Sequence, residues 1–197
     1  MGRYQAEPLR RYDFMHEFEV HCPKCTGHAY IKVPHFRMLT QAALTCSACF
    51  FTEDMAARVR FKPSGRVKCS HCDTFLVLEM EGQKSIPSYV AVKCPKCLQQ
   101  TKVSEHWEKY ILKYHEGGNL DPAFGLELWF QAIVKKQVIW AYNKQHLEAI
   151  RTYVEATLRE RTTDRFKMTM VEKLPNFIKY AKNRGEVLKV IDRMLAK

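Results

Sequence analysis

The sequence predicts an α+β fold: two small antiparallel-β units in the first half, then a β-hairpin and a helical C-terminal domain. Three observations predict it. All eight cysteines fall in four Cys-x-x-Cys pairs (Cys22/Cys25, Cys46/Cys49, Cys69/Cys72 and Cys94/Cys97), and none lies beyond Cys97. Short β-rich runs flank these pairs in a pattern that occurs twice. After Asn143 apolar residues recur at helical spacing.

Two residues between cysteines let a tight turn present both sulfurs to one metal, and a second such turn completes a tetrahedron. Twenty residues separate Cys25 from Cys46 and 21 separate Cys72 from Cys94, at or just past the upper end of such spacings. Only 19 separate Cys49 from Cys69, so spacing alone lets the two middle pairs share an ion. The repeat argues otherwise. Phe18-Glu19-Val20-His21 precedes the first pair as Gly65-Arg66-Val67-Lys68 precedes the third. Ala29 to Val33 follows the first as Phe75 to Leu78 follows the third. Ala42 to Thr45 leads into the second pair as Tyr89 to Lys93 leads into the fourth. The expected sets are therefore Cys22, Cys25, Cys46, Cys49 and Cys69, Cys72, Cys94, Cys97, with two structural zinc ions per chain. Redox use of a Cys-x-x-Cys needs one pair beside a βαβ pattern, whereas four pairs lie here among short strands. A disulfide framework belongs with a secretory leader, and Met1 to Gln5 is polar. His21 and His71 adjoin ligands and are expected as exposed turn residues or hydrogen-bond donors to thiolate. His16-Glu17 lacks the second histidine that a zinc-protease helix requires at Val20.

With this spacing, residues 18–104 resemble the zinc-ribbon family, in which two metal-binding knuckles are joined by a small antiparallel sheet. The resemblance implies closed, all-cysteine sites that scaffold rather than catalyse. Ribbon knuckles often place glycine after the second cysteine, where the chain turns left-handed; Thr26, Phe50, Asp73 and Leu98 stand there instead.

In order, residues 1–17 read as a polar N-terminal arm, 18–61 as the first ribbon and 62–104 as the second, divided by the turn Lys62-Pro63-Ser64-Gly65. Residues 105–122 read as a linker whose Glu105–His115 stretch forms a short helix, with Trp107, Ile111 and Tyr114 on one side. Gly117-Gly118-Asn119 and Asp121-Pro122 punctuate it. Residues 123–197 read as an independently folded domain. Leu126–Phe130 and Gln137–Ala141 are expected as strands around Lys135-Lys136. Asn143 caps a helix that carries Leu147, Ile150, Val154 and Leu158 and runs to about Arg161. Thr162-Thr163-Asp164 ends it, and another helix starts near Met168. Pro175 restarts the chain, Asn183-Arg184-Gly185 breaks it, and 186–196 forms the last helix, with Val187, Val190, Ile191 and Met194 inward. Phe124-Gly125, Leu128-Trp129, Trp140 to Asn143, His146-Leu147, Leu174-Pro175 and Lys182 to Arg184 resemble a tail recurring in bacterial zinc-ribbon proteins of uncharacterised function. That likeness implies a bacterial or phage origin and no activity.

The formal net charge is +11. Residues 1–105 carry 15 Lys+Arg against 10 Asp+Glu, and 106–197 carry 17 against 11, so the excess is shared by both halves. Nucleic acid is the default partner for such a balance, although a basic soluble protein needs none. Candidate contacts are Arg58, Arg60 and Lys62, on one face of a strand, then Arg66 and Lys68, then Lys179, Lys182 and Arg184. The competing reading of the first three is a solvated edge strand whose charges block sheet pairing. Arg159, Arg161 and Arg165 form a further cluster. Phe50, Phe51, Tyr30, His35 and Phe36 are candidate base-stacking residues, or core. No membrane-length apolar run occurs, and reduced metal-bound cysteines imply a cytoplasmic location. No phosphate-binding glycine loop, spare cysteine or partnered histidine suggests an active site, and no small-molecule substrate is evident. The expectation is a non-catalytic accessory protein gripping DNA or RNA backbone. The alternative is a protein-docking adaptor or subunit of a larger complex that presents Trp129, Phe130, Trp140 and Tyr142.

Overall fold

The computed structural model describes residues 9–78, 81–104, 107–157 and 169–197. In chain order the strands are β1 (Glu17–His21), β2 (His28–Lys32), β3 (Ala43–Cys46), β4 (Thr52–Asp54), β5 (Val59–Pro63), β6 (Arg66–Lys68), β7 (Phe75–Val77), β8 (Val90–Lys93), β9 (Gln100–Val103), β10 (Trp107–Ile111), β11 (Phe130–Val134) and β12 (Gln137–Ala141). The helices are α1 (Lys144–Glu155), α2 (Asn176–Lys179) and α3 (Arg184–Leu195), with single 3-10 turns between elements. The chain forms two compact units, 1–55 with 113–197, and 56–112. The α+β class is as expected.

The first unit is built on an antiparallel sheet in the order β1-β2-β3-β4. Its period-2 pattern turns Phe18, Val20, Ala29, Ile31, Leu44 and Cys46 inward, each at most 1% exposed. The described parts of residues 123–197, a stretch expected to fold independently, complete this core. The free edge of β1 is taken up by Glu19 N–H to Tyr142 O, His21 N–H to Glu127 O and Trp129 N–H to Glu19 O. Phe18 meets Tyr142 edge-on at 5.1 Å. The predicted strand Leu126–Phe130 is displaced: pairing starts at Phe130, because Leu126 and Leu128 are buried and Leu128 bridges Val20 of β1. Asp121 is the hinge of this docking. Its buried carboxylate accepts N–H bonds from Ala123, Phe124 and Leu126. Gly125 follows with φ +72°, and a Cβ there would run into the carbonyl of His115.

Asn143 caps α1 as expected, accepting from His146 N–H at 2.9 Å. Its amide also donates to Phe14 O and Glu17 O. Residues 9–17 are therefore part of this unit rather than a loose arm, with Phe14 and Met15 buried. His146, Leu147, Ile150, Tyr153 and Val154 form the inward face of α1, which packs on α3. The helix stops at Glu155, short of the expected Arg161, because Ala156 turns extended. Leu158, the arginines 159, 161 and 165, the break at 162–164 and the helix start at Met168 lie outside the described residues. Pro175 precedes α2. The expected break at 183–185 is instead the start of α3, which buries Val187, Ile191 and Met194 and leaves Val190 half-buried.

The second unit repeats the first with one change. Hairpins β6-β7 and β8-β9 correspond to β1-β2 and β3-β4, but β7 and β8 do not pair. Between them Gln83 bonds Phe61 in both directions at 2.8 Å. The predicted helix at 105–115 is a correction. Its core, Trp107–Ile111, is β10, antiparallel to β5 with Glu108 opposite Lys62. Its apolar spacing fits one helical face, yet the pairing with β5 supplies the backbone partners and overrides the local pattern.

Candidate metal centres

Each Cys-x-x-Cys pair sits on the same backbone device. The first cysteine's N–H donates to the carbonyl five residues on, for Cys22 to Gly27, Cys46 to Phe51, Cys69 to Thr74 and Cys94 to Gln99, at 2.8–2.9 Å. That closure requires the residue after the second cysteine to turn left-handed. Thr26, Phe50, Asp73 and Leu98 do so, at φ of 59°, 57°, 55° and 62°. A side chain in this region costs roughly 1–2 kcal/mol, so all four knuckles retain strain that glycine would relieve.

The knuckles converge in pairs. Cys22, Cys25, Cys46 and Cys49 form one cluster and Cys69, Cys72, Cys94 and Cys97 the other, with all ligand atoms in a cluster within 4.8 Å of one another. The expected pairing, first with second and third with fourth, is what the fold produces. Sγ atoms lie 3.7 Å apart for Cys22 and Cys49, and 3.6 Å apart for Cys25–Cys46, Cys69–Cys97 and Cys72–Cys94. A Zn–S bond of about 2.3 Å gives a tetrahedron edge of about 3.8 Å. A disulfide needs about 2.05 Å. The donor sets thus fit one tetrahedral metal ion each, consistent with two structural zinc ions per chain.

The electrostatics fit as well. Sulfur of Cys46 accepts N–H bonds from Cys49 and Ala48, and that of Cys69 from His71 with the Thr101 hydroxyl donating too. These bonds hold both thiols down to about 6. Cys49 and Cys97 each gain a backbone hydrogen bond that lowers them, yet each is pushed up to about 12, with the neighbouring sulfurs raising both and burial adding to it. Four touching sulfurs cannot all ionise beside one another unless a cation sits among them. Thr101 is 4% exposed and also accepts from Ser70 N–H at 3.2 Å, so it ties the fourth knuckle's strand to the third knuckle. Only its position in the alternation of β9 hinted at this role. Neither flanking histidine competes. His21 Nδ1 lies 3.0 Å from Thr26 O and its ring packs on Trp129, while exposed His71 contributes its backbone N–H.

The predicted basic contacts fall in both units. Arg58 lies in a 3-10 turn rather than on the strand, its Nε donating to Leu112 O. Arg60 donates to Ala57 O and Val59 O. Lys62 faces Glu108 at 3.7 Å and lies over Tyr110. Lys179 donates to Glu172 O, Lys182 lies over Tyr180, and Arg184 opens α3. Lys62 and Lys182 are exposed, and so are Arg66 and Lys68, which share one face of β6 directly opposite Val77 and Phe75 of β7. Lys68 Nζ sits 5.6 Å from the exposed Phe75 ring and Lys102 Nζ 4.7 Å from that of Tyr89. Sequence reading missed Phe75, Tyr89 and Lys102; alternation in β9, which buries Thr101 and Val103, already turned Lys102 outward.

Among the aromatic candidates, Phe50 is 81% exposed, whereas Phe51 is half-buried with Lys24 over its ring. Tyr30 packs on His28, and Phe36 on Tyr12 and His35. The tail aromatics expected as a docking face are used internally. Phe130 and Tyr142 are buried, and Trp129 stacks on His28 at 4.4 Å. Among the described residues no helix is long and apolar enough to cross a membrane. No family model, curated protein or solved structure matches this chain.

Proposed function

We propose that this is a non-catalytic, cytoplasmic accessory protein whose four-cysteine units are zinc ribbons, and that the second of them binds nucleic acid. The observation that carries the reading is the outward face of the β6-β7 hairpin. Lys68 stands over an exposed Phe75, and Arg66 sits beside them on the same strand. A cation that contacts phosphate next to a ring that stacks on a base is the combination used to hold single strands without reading sequence. The +11 charge supports it.

Fluorescence anisotropy with labelled single-stranded DNA, single-stranded RNA and duplex DNA, across a salt series, tests it. Single strands should bind more tightly than duplex. Lys68→Gln should lower the slope of log K against log salt by about 0.7. Phe75→Ser should cost about 1–3 kcal/mol on single strands and little on duplex. No binding even at low salt overturns the proposal. The adaptor reading survives on a different surface from the one expected: Ile133 and Val138, cross-strand partners on β11 and β12, are 74% and 39% exposed. Retention of a protein partner after nuclease treatment, lost in Ile133→Lys, would favour it.

A further inference from the structure

The first unit contains a cavity of about 120 Å³ whose wall includes Arg11, Trp140, His146, Ile150, Lys173 and Ile178. We infer that this cavity is a binding site for a small carboxylate with a short apolar body. The inference is independent of the nucleic-acid reading.

Charge comes first. Among the described residues, two of the ten that line the cavity are cations and none is a carboxylate. Among the described residues Arg11 forms no ion pair, and its Nε, shut from solvent, has no acceptor. A buried N–H left unbonded costs about 1–3 kcal/mol. Lys173 is exposed and lies over the ring of Tyr12, 5.6 Å from its Nζ. An acid among the lining residues would neutralise the pair, and among the described residues the lining holds none. The third polar group is a donor as well. His146 Nδ1 accepts the N–H of Tyr142 at 3.2 Å, which puts the proton of the neutral ring on Nε2.

A carboxylate matches this set. Its two oxygens accept the parallel N–H bonds of a guanidinium fork, and its negative charge offsets one of the two cations. The remaining wall, with Ile150, Ile178 and the Trp140 ring, takes an apolar body. Size limits that body, since an apolar cavity of about 150 Å³ holds benzene. A branched acid of five carbons suits the space; a nucleotide does not.

The test uses the full-length, zinc-loaded protein and isovalerate, with isovaleramide as the uncharged isostere. Binding is read from the Trp140 indole and the Ile150 and Ile178 methyl resonances. Saturable shifts confined to these groups are expected, with Kd in the millimolar range or somewhat tighter. The amide should bind about tenfold or more weakly. Arg11→Gln should weaken isovalerate by a similar factor, and Lys173→Gln does so without touching the turn that holds Arg11. Far-UV CD and zinc content are checked in both variants. Equal binding of acid and amide, unsaturable shifts spread over surface lysines, unchanged Kd in both variants, or no shift at about 50 mM ligand would each overturn the assignment.

Discussion

At the scale of single residues, His146 shows how burial sets a condition on stability. It is 3% exposed, stacked on Phe14 at 4.7 Å and bonded through Nδ1 to Tyr142 N–H. Burial, with Arg11 nearby, holds its pKa down from 6.5 to about 4. Between those values the unfolded chain takes up a proton that the folded chain refuses. The stabilisation is therefore complete above pH 6.5 and is lost as pH falls towards 4, amounting to about 3 kcal/mol. Cysteine ligands also take up protons in acid, so the comparison has to be differential. His146→Gln keeps an acceptor for Tyr142 N–H but cannot titrate. Urea midpoints of wild type and variant, each zinc-saturated, should differ most at pH 7 and converge towards pH 4.5. A pH-independent difference would show that the ring is not held neutral. The sequence offered His146 only as part of a tail motif; its burial depends on Phe14, 132 positions away in the chain, which no local pattern connects to it.

At the scale of elements, what was legible followed from spacing and what was not followed from pairing. The cysteine sets, the Asn143 cap and the inward face of α1 are local periodicities, and the fold realises them. Trp107, Ile111 and Tyr114 satisfied a helical spacing too, but β5 offered Trp107–Ile111 a strand partner, which a single window cannot reveal. The turn between β11 and β12 was legible in place but not in cost. Lys135 and Lys136 occupy it with φ of 49° and 63°, the conformation of a two-residue type I′ hairpin that favours Asn-Gly. Lys135 is compensated, since its ammonium donates to Asn183 Oδ1 and pairs with Glu186, both at 3.0 Å. Lys136 is exposed and forms no such pair among the described residues. Lys136→Gly removes about 1–2 kcal/mol of strain and adds about 0.5–1 kcal/mol of unfolded-state entropy. The net gain should be about 0.5–1 kcal/mol, read as a higher urea midpoint at unchanged m-value. Lys135→Gly should gain less, or lose, because it also deletes the tie to α3.

At the scale of the whole molecule, two similar metal sites serve two unequal cores. In 56–112 the cluster around the ligands consists of Cys69, Leu76 and Cys94, with Cys72, Val92 and Cys97 packed against it. Four of those six are the ligands themselves, so the site and its core are nearly one object. Removing the metal there leaves two short hairpins with Leu76 and Val92 between them, and an isolated hairpin is marginal in water. In the unit of 1–55 and 113–197, Phe18, Phe124, Leu128, Ile139, Leu147, Ile150 and Ile191 are buried, none of them a ligand, and α1 packs on α3. Structural zinc contributes on the order of 10–16 kcal/mol to small domains that cannot fold otherwise, and much less of the first unit's stability depends on it. Cys69→Ser should therefore bring the amides of residues 66–103 to unprotected exchange while α1, α3 and the β1 edge stay protected. Cys22→Ser should loosen the turns around residues 22–26 and 46–50 but leave helical circular dichroism within about a tenth of wild type. Hydrogen exchange on both variants, with zinc content measured alongside, separates the cases. Equal loss of protection in the two units of Cys69→Ser would mean that the larger core is not self-sufficient.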